Sequence, residues 1–306
     1  MRAAAGIRVL RSQTLLALVD PQHGGEVLEL VDLRTGASLL GRPPFAPGPP
    51  VIGDLDEMAW TTAYRGGWQV VAPNAGEAAG GHPFHGAASV EPWSVLDEQP
   101  TRLRMGWQGH GLVALRTLTV DDRGIEAETE WRPARSAPVP MVAVEHLTVG
   151  LAVLDPEVRL VLPGGRALEL DDRPGDLALA APWPEAALLD GTRGRMDRWA
   201  LSEAGARFLV VTDLPDGRVE VLNTSSGCGL VLEWDVGAMP HLWLWREARA
   251  SGGPWRGRAE ILGIEPSSVP HAAGLAEAAA SGHAVTPTAA EPFRQRLRVT
   301  VLPARG

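Results

Sequence analysis

Apolar runs of four to eight residues recur at short intervals along the 306-residue chain, with Gly, Pro and Asp clusters between them. That spacing is the habit of a sheet protein. Strands are expected at Leu15–Val19, Val27–Leu33, Leu112–Val120, Ile125–Trp131, Val158–Leu162, Arg207–Thr212, Val219–Asn223, Leu230–Trp234 and Arg294–Leu302. Three connections carry turn chemistry: Asp121-Asp122-Arg123-Gly124, Pro163-Gly164-Gly165-Arg166 and Pro215-Asp216-Gly217. Each reads as a hairpin, which makes consecutive strands antiparallel neighbours. The one convincing helix is Ala272–Ala280, rich in Ala and closed by Gly282. So little helix disfavours a parallel α/β fold. Two long loops, Gly41–Pro50 and Asn74–Pro83, are places where a sheet scaffold builds a site. With no repeat and no linker between cores, residues 1–306 are expected to form one all-β domain, a large antiparallel sandwich with few short helices.

Composition narrows the partners. The chain is 45% hydrophobic and 21% charged, the balance of an ordinary globular protein. Its 28 basic residues are all Arg and its acidic residues number 37, so the formal charge is 28 − 37 = −9. An acidic surface argues against nucleic acid as a partner. Cys228 is the single cysteine, which rules out an intrachain disulfide or a Cys-based zinc site and reads as a small buried strand residue. Arg8 and Arg11 interrupt the N-terminal apolar stretch, leaving too short a run for a signal-peptide core or a membrane span. A soluble, cytoplasmic protein without a membrane partner is expected, as a monomer or homodimer.

Eleven Trp against one Tyr and four Phe is an unusual ratio. Trp68, Trp93, Trp107, Trp243, Trp245 and Trp255 stand beside polar or flexible residues, and aromatic planes suit the C–H faces of sugar rings. Core packing is the competing reading for any one of them. His82 and His85 fall three apart in a Gly-rich loop, but no third ligand has metal-site spacing, so no metal is expected. His85, followed by Gly86, is a candidate to bind substrate through one ring nitrogen. In the strand-like run Met141–Val149, Glu145 and His146 are adjacent and point to opposite faces, so one of them is structural. Imidazole is suited to delivering a proton to a sugar ring oxygen. Glu265 ends an apolar strand just before Pro266, where a carboxylate is costly unless paired or solvated.

Taken in order, several segments resemble the aldose 1-epimerase (galactose mutarotase) superfamily. They are Asp20-Pro21-Gln22-His23-Gly24-Gly25, Arg65-Gly66-Gly67-Trp68, Pro73-Asn74-Ala75-Gly76, His85-Gly86 leading to Pro92-Trp93, Arg116–Val120, Glu145-His146, Met239–Trp245 and Gly263-Ile264-Glu265-Pro266. The resemblance implies a β-supersandwich that binds a hexose-like sugar in a groove on one large sheet, needing no cofactor. It implies Glu265 as base on the anomeric hydroxyl and His146 as acid on the ring oxygen, with His85 holding the ring oxygen or a neighbouring hydroxyl. Arg65 and Asn74 would meet sugar hydroxyls, and Trp245 would be a stacking wall. The family's arginine followed by an Asn-Arg pair is missing around Arg65, and clustered basic residues for a phosphate are absent, so a free sugar is expected. The alternatives are a noncatalytic carbohydrate-binding protein, a glycoside hydrolase or lyase, which needs a second carboxylate, and a purely structural sandwich. Convergence of His146 and Glu265 on one cavity discriminates among them.

Overall fold

The computed structural model describes residues 6–44, 56–79, 81–171 and 174–304. Residues 45–50 of the first long loop and Gly80 of the second lie outside them. Among the described residues the strands form two sheets, one of thirteen and one of nine strands, and the main apolar core draws on both. This is the expected all-β, largely antiparallel sandwich.

The nine-stranded sheet shows the alternation that made it readable. Along Leu112–Val120 every second residue is buried, and Leu112, Ala114, Leu118 and Val120 enter the core. The larger sheet runs Leu15–Asp20, Glu26–Asp32, Trp68–Val71, Val144–Thr148, Glu260–Ser267, His241–Ala248, Gly205–Thr212, Arg166–Leu170 through its middle. Its central strands are covered on both faces. Val144–Thr148 is buried at every position, because one face meets the core and the other a layer of aromatic side chains.

Two turns do something other than expected. Asp121–Gly124 does close a hairpin between Leu112–Val120 and Gly124–Pro133. Pro163–Arg166, however, carries the chain from Glu157–Val161 in the smaller sheet to Arg166–Leu170 in the larger. Pro215–Gly217 likewise joins Gly205–Thr212 in the larger sheet to Arg218–Asn223 in the smaller. The same Gly, Pro and Asp that close a hairpin also serve a corner between layers, since both require a sharp reversal and a positive φ. Here Gly165 (φ +115) and Asp213 (φ 54) supply it.

The C-terminal helix is Gly274–Ala280, slightly shorter than expected. Helices Glu57–Ala63 and Leu151–Leu154 were not anticipated. In Glu57–Ala63, the Asp56 carboxylate accepts a hydrogen bond from the Ala59 N–H at 2.7 Å, capping the N-terminus. Trp60 and Tyr64, four residues apart, then lie on one side of this turn and stack at 4.9 Å between ring centroids. Cys228 is half-buried just ahead of strand Gly229–Trp234, its thiol directed to the Ala152 carbonyl. Among the described residues no helix is long and apolar enough to cross a membrane.

Candidate active site

The register of the central strands builds the site. Val144 pairs with Ser267 and Leu147 with Ile264, which brings His146 across from Glu265. Both side chains leave the sheet on the face away from the core, and the His146 Nε2 lies 3.5 Å from a Glu265 carboxylate oxygen. They line a cavity of about 600 Å³ whose walls also include Trp60, Phe84, His85, Trp245 and Trp255. Thus Glu265, His146, His85 and Trp245 are brought together.

Gly263 makes room for this arrangement. It sits two residues before Glu265 on the same face, and a Cβ on it would come 2.2 Å from the Glu265 Oε1. The carboxylate therefore lies over the glycine. A side chain at 263 would occupy the position of that oxygen.

His85 is held by its backbone and by one hydrogen bond. It occupies a left-handed conformation (φ 60), and its Nδ1 accepts from the Gly76 N–H at 3.0 Å. A neutral ring that accepts at Nδ1 carries its proton on Nε2, so His85 presents an N–H donor. Burial, then the neighbouring His146, hold its pKa well below the usual imidazole value. It stays neutral.

His146 and Glu265 move in opposite directions. Burial lowers the His146 pKa to about 4 and raises that of Glu265 well above the usual carboxylate range. Burial thus favours the uncharged form of each group, a carboxylic acid beside a neutral imidazole. Passing the acid's proton across the 3.5 Å gap gives carboxylate and imidazolium with no change in net charge. A base and an acid are thus one proton shift away, without a charge entering a buried cavity. The Glu265 Oε1 and His146 Nδ1 have no hydrogen-bond partner within the protein. Buried polar atoms left unpaired in this way mark a place where a ligand supplies the partner.

The aromatic roof comes from three segments. Trp60 and Tyr64 on the first helix, Phe84 in the loop before His85, and Trp255 form one apolar cluster with Trp245 packed against it. Thr148 donates its hydroxyl to the Gly67 carbonyl at 2.7 Å, so the Tyr64 hydroxyl is the donor in its 3.0 Å contact with Thr148. That fixes the Tyr64 ring against Trp60, His146 and Trp245, behind the cavity lining. Trp60 and Tyr64 were not among the residues singled out in the sequence. The available signal was Asp56-Glu57 ahead of aromatic residues four apart, a capped turn with one aromatic side.

Two residues expected in the site lie elsewhere. The structure places Arg65 on Asp20 (2.7 Å) and on Glu26, inside a buried polar group that also holds His23 and Gln69, and outside the cavity lining. A guanidinium that neutralises two buried carboxylates is committed to them. Asn74 is fully buried, and its amide donates to the carbonyls of Glu77 and Pro83 while its oxygen accepts from the Leu275 N–H at 2.6 Å. It ties the His85 loop to the C-terminal helix and does not line the cavity. Trp68, Trp93 and Trp107 are core residues, exposed by 4% or less. Glu145 is the structural member of its pair: it points into the core, where Arg116, Trp68 and Gln295 all donate to it. His82 packs against His110 at 4.5 Å and does not line the cavity.

The fold is shared with solved structures. The chain superposes on the Slr1438 protein of Synechocystis with a TM-score of 0.70 at 16% identity, covering 99% of this chain and 97% of that one. A galactose mutarotase related enzyme of Lactobacillus acidophilus matches with a TM-score of 0.68 at 11% identity, over 98% and 100% of the two chains. A galactose mutarotase-like protein of Lactobacillus casei matches at 0.63 and 13% identity, over 97% and 100%. No family model and no curated protein matches the sequence. The likeness is therefore one of architecture: this chain has the galactose mutarotase-like fold.

Proposed function

We propose that this protein is an aldose 1-epimerase that interconverts the α and β anomers of a free aldose. The observation that carries the reading is the His146–Glu265 pair, 3.5 Å apart in an aromatic-walled cavity, each group biased by burial toward its uncharged form. Glu265, as carboxylate, takes the proton of the anomeric hydroxyl. His146, as imidazolium, gives its proton to the ring oxygen, and the C1–O5 bond breaks. The open aldehyde rotates about C1–C2, and reclosure with the proton transfers reversed gives the other anomer. The two groups end where they began, so the cycle uses no net proton and no cofactor. The His85 Nε2–H is suited to donate to the ring oxygen or a neighbouring hydroxyl, and Trp245 to carry the ring's C–H face. Cytoplasmic residence, and a monomer or homodimer, are part of the same proposal.

The test is anomer exchange followed by NMR across free hexoses and pentoses, wild type beside Glu265→Gln. Each general acid or base step contributes about a hundred- to ten-thousand-fold, and the variant is expected to lose that much in kcat/KM. Unlike a structural change, it leaves the fold as stable or more so at neutral pH. The reason is that Glu265 titrates higher when folded: its ionisation opposes folding increasingly as pH rises above the ordinary carboxylate value of about 4.3. A sugar that binds without accelerated exchange would move the assignment to a noncatalytic carbohydrate-binding protein.

A further inference from the structure

Gln69 stands directly across from His146. The two are register partners on the neighbouring strands Trp68–Val71 and Val144–Thr148, and opposite residues of such a pair leave the sheet on the same face with Cβ atoms about 4.5–5.5 Å apart. The adjacent positions point the other way, where Trp68 donates to Glu145 in the core. Gln69 and His146 are both almost wholly buried, and each keeps one polar atom without a partner in the protein: the Gln69 Oε1 and the His146 Nδ1. Two such atoms on facing side chains are suited to satisfy each other.

The orientation of the Gln69 amide is settled from its far side. Its Nε2 donates to the Glu26 carboxylate at 2.8 Å, and with the amide turned over two acceptors would meet there. Glu26 is itself held by Arg65, which also binds Asp20. The amide therefore has its nitrogen tied to Glu26 and its oxygen left to offer. An oxygen accepts, so the partner it calls for on His146 is an Nδ1–H, which leaves the Nε2 lone pair on the side of Glu265. Hydrogen bonds of this kind are commonly long before substrate binds and close in the complex, directly or through one water.

We infer that Gln69 is a positioning residue for His146: its oxygen takes the Nδ1–H, fixes the tautomer, and keeps that proton in place while Nε2 gains and loses the working one. The work done at Nε2 rests on the epimerase reading; the tautomer rests on the strand register and the two unpaired atoms alone. A neutral amide suits the task better than a carboxylate, because it orients the imidazolium without holding the ring charged at rest. Arg65 reaches the site by this route, through Glu26 and Gln69.

Long-range proton–nitrogen NMR of the histidine rings at neutral pH, with His146 assigned from the His146→Gln spectrum, reads the tautomer directly. The wild-type ring is expected to carry its proton on Nδ1. Gln69→Met, which keeps the length of the side chain and loses the acceptor, is expected to populate the Nε2–H form. In anomer exchange the same variant is expected to lose about tenfold in kcat, with KM changed less than about twofold. An Nε2–H ring in the wild-type protein would overturn the inference whatever the activity, and that measurement needs no variant to fold. An unchanged Nδ1–H tautomer in Gln69→Met, or a loss confined to KM, would overturn it as well. A tautomer that follows Gln69 in a protein that exchanges no sugar would uphold the hold on His146 and sink the epimerase reading.

Discussion

Glu145 and His146 are neighbours on one strand, both almost wholly buried, and they lead opposite lives. Glu145 faces the core, where its two oxygens accept four hydrogen bonds: two from Arg116 and one each from Trp68 and Gln295, at 2.6 to 2.8 Å. His146 faces the cavity with its Nδ1 unpaired, opposite a Glu265 oxygen that is unpaired as well. Burial is equal on the two sides; satisfaction is not. A buried charge whose every lone pair is met belongs to the architecture. One left with open valences, in a cavity, belongs to the chemistry.

The hardest test of that contrast removes Arg116. Breaking a buried ion pair from one side strands the other charge, which costs about 3–5 kcal/mol. Arg116→Met should lower stability by that amount in urea unfolding, whereas Glu265→Gln should lower it not at all. Equal losses in the two variants would erase the distinction between the two faces.

Acid titration sharpens the contrast next. His146 titrates near 4 when folded against 6.5 as the ordinary value. Its neutral, buried form therefore contributes stability that is full above pH 6.5 and lost as pH falls through 4. A difference of about 2.5 in pKa, at about 1.4 kcal/mol for each, is about 3–4 kcal/mol. Unfolding free energies measured from pH 7 to pH 4 should fall less steeply in His146→Gln by roughly that amount. Parallel curves would mean that His146 is solvated in solution and the cavity is wet. Catalysis follows the same lower limit: it needs one proton on the pair, so kcat/KM should fall as pH drops through about 4, where His146 takes up a second, and on the alkaline side decline as pH rises through the raised pKa of Glu265.

Gly263→Ala works on the active face alone. The added methyl would stand 2.2 Å from the Glu265 Oε1, so the carboxylate must move, and being the free end of a side chain it can do so cheaply. A shift of about 1 Å at a reacting group costs on the order of a hundredfold in rate. We expect that loss in kcat/KM with a melting temperature close to wild type. A large loss of stability with activity kept would show that Gly263 serves strand packing instead.

How far the sequence disclosed this arrangement depended on whether the information was local. The strand Leu112–Val120 is plain from alternation, and adjacency alone divides Glu145 from His146 between two faces. The carboxylate before Pro266 and the histidine before Gly86 also stand out, because each is an oddity in its own segment. Arg65 is different: its partners Asp20 and Glu26 lie some forty residues upstream, and only folding reveals that they occupy it. Asn74 similarly answers to Leu275, 201 residues away. The corners at Pro163–Arg166 and Pro215–Gly217 look like hairpins because turn residues encode a reversal and say nothing of which sheet follows. The meeting of His146, Glu265 and Trp245 needs the register of strands from distant parts of the chain, so no single segment hints at it.

The smallest effect is expected at the roof. Tyr64 gives its hydroxyl to Thr148, which in turn is anchored on the Gly67 carbonyl, so the hydroxyl faces the protein and the ring packs against His146 behind the cavity lining. Tyr64→Phe keeps the ring and loses one hydrogen bond, which costs about 0.5–1.5 kcal/mol. Stability should fall by that much while kcat/KM changes less than about twofold, because Thr148 keeps its own donor bond and the wall keeps its shape. If exchange instead drops in proportion to Glu265→Gln, the hydroxyl reaches the sugar. Tyr64 would then join His146 and Glu265 on the side of open valences, and the line between architecture and chemistry would pass through the roof as well as the strand.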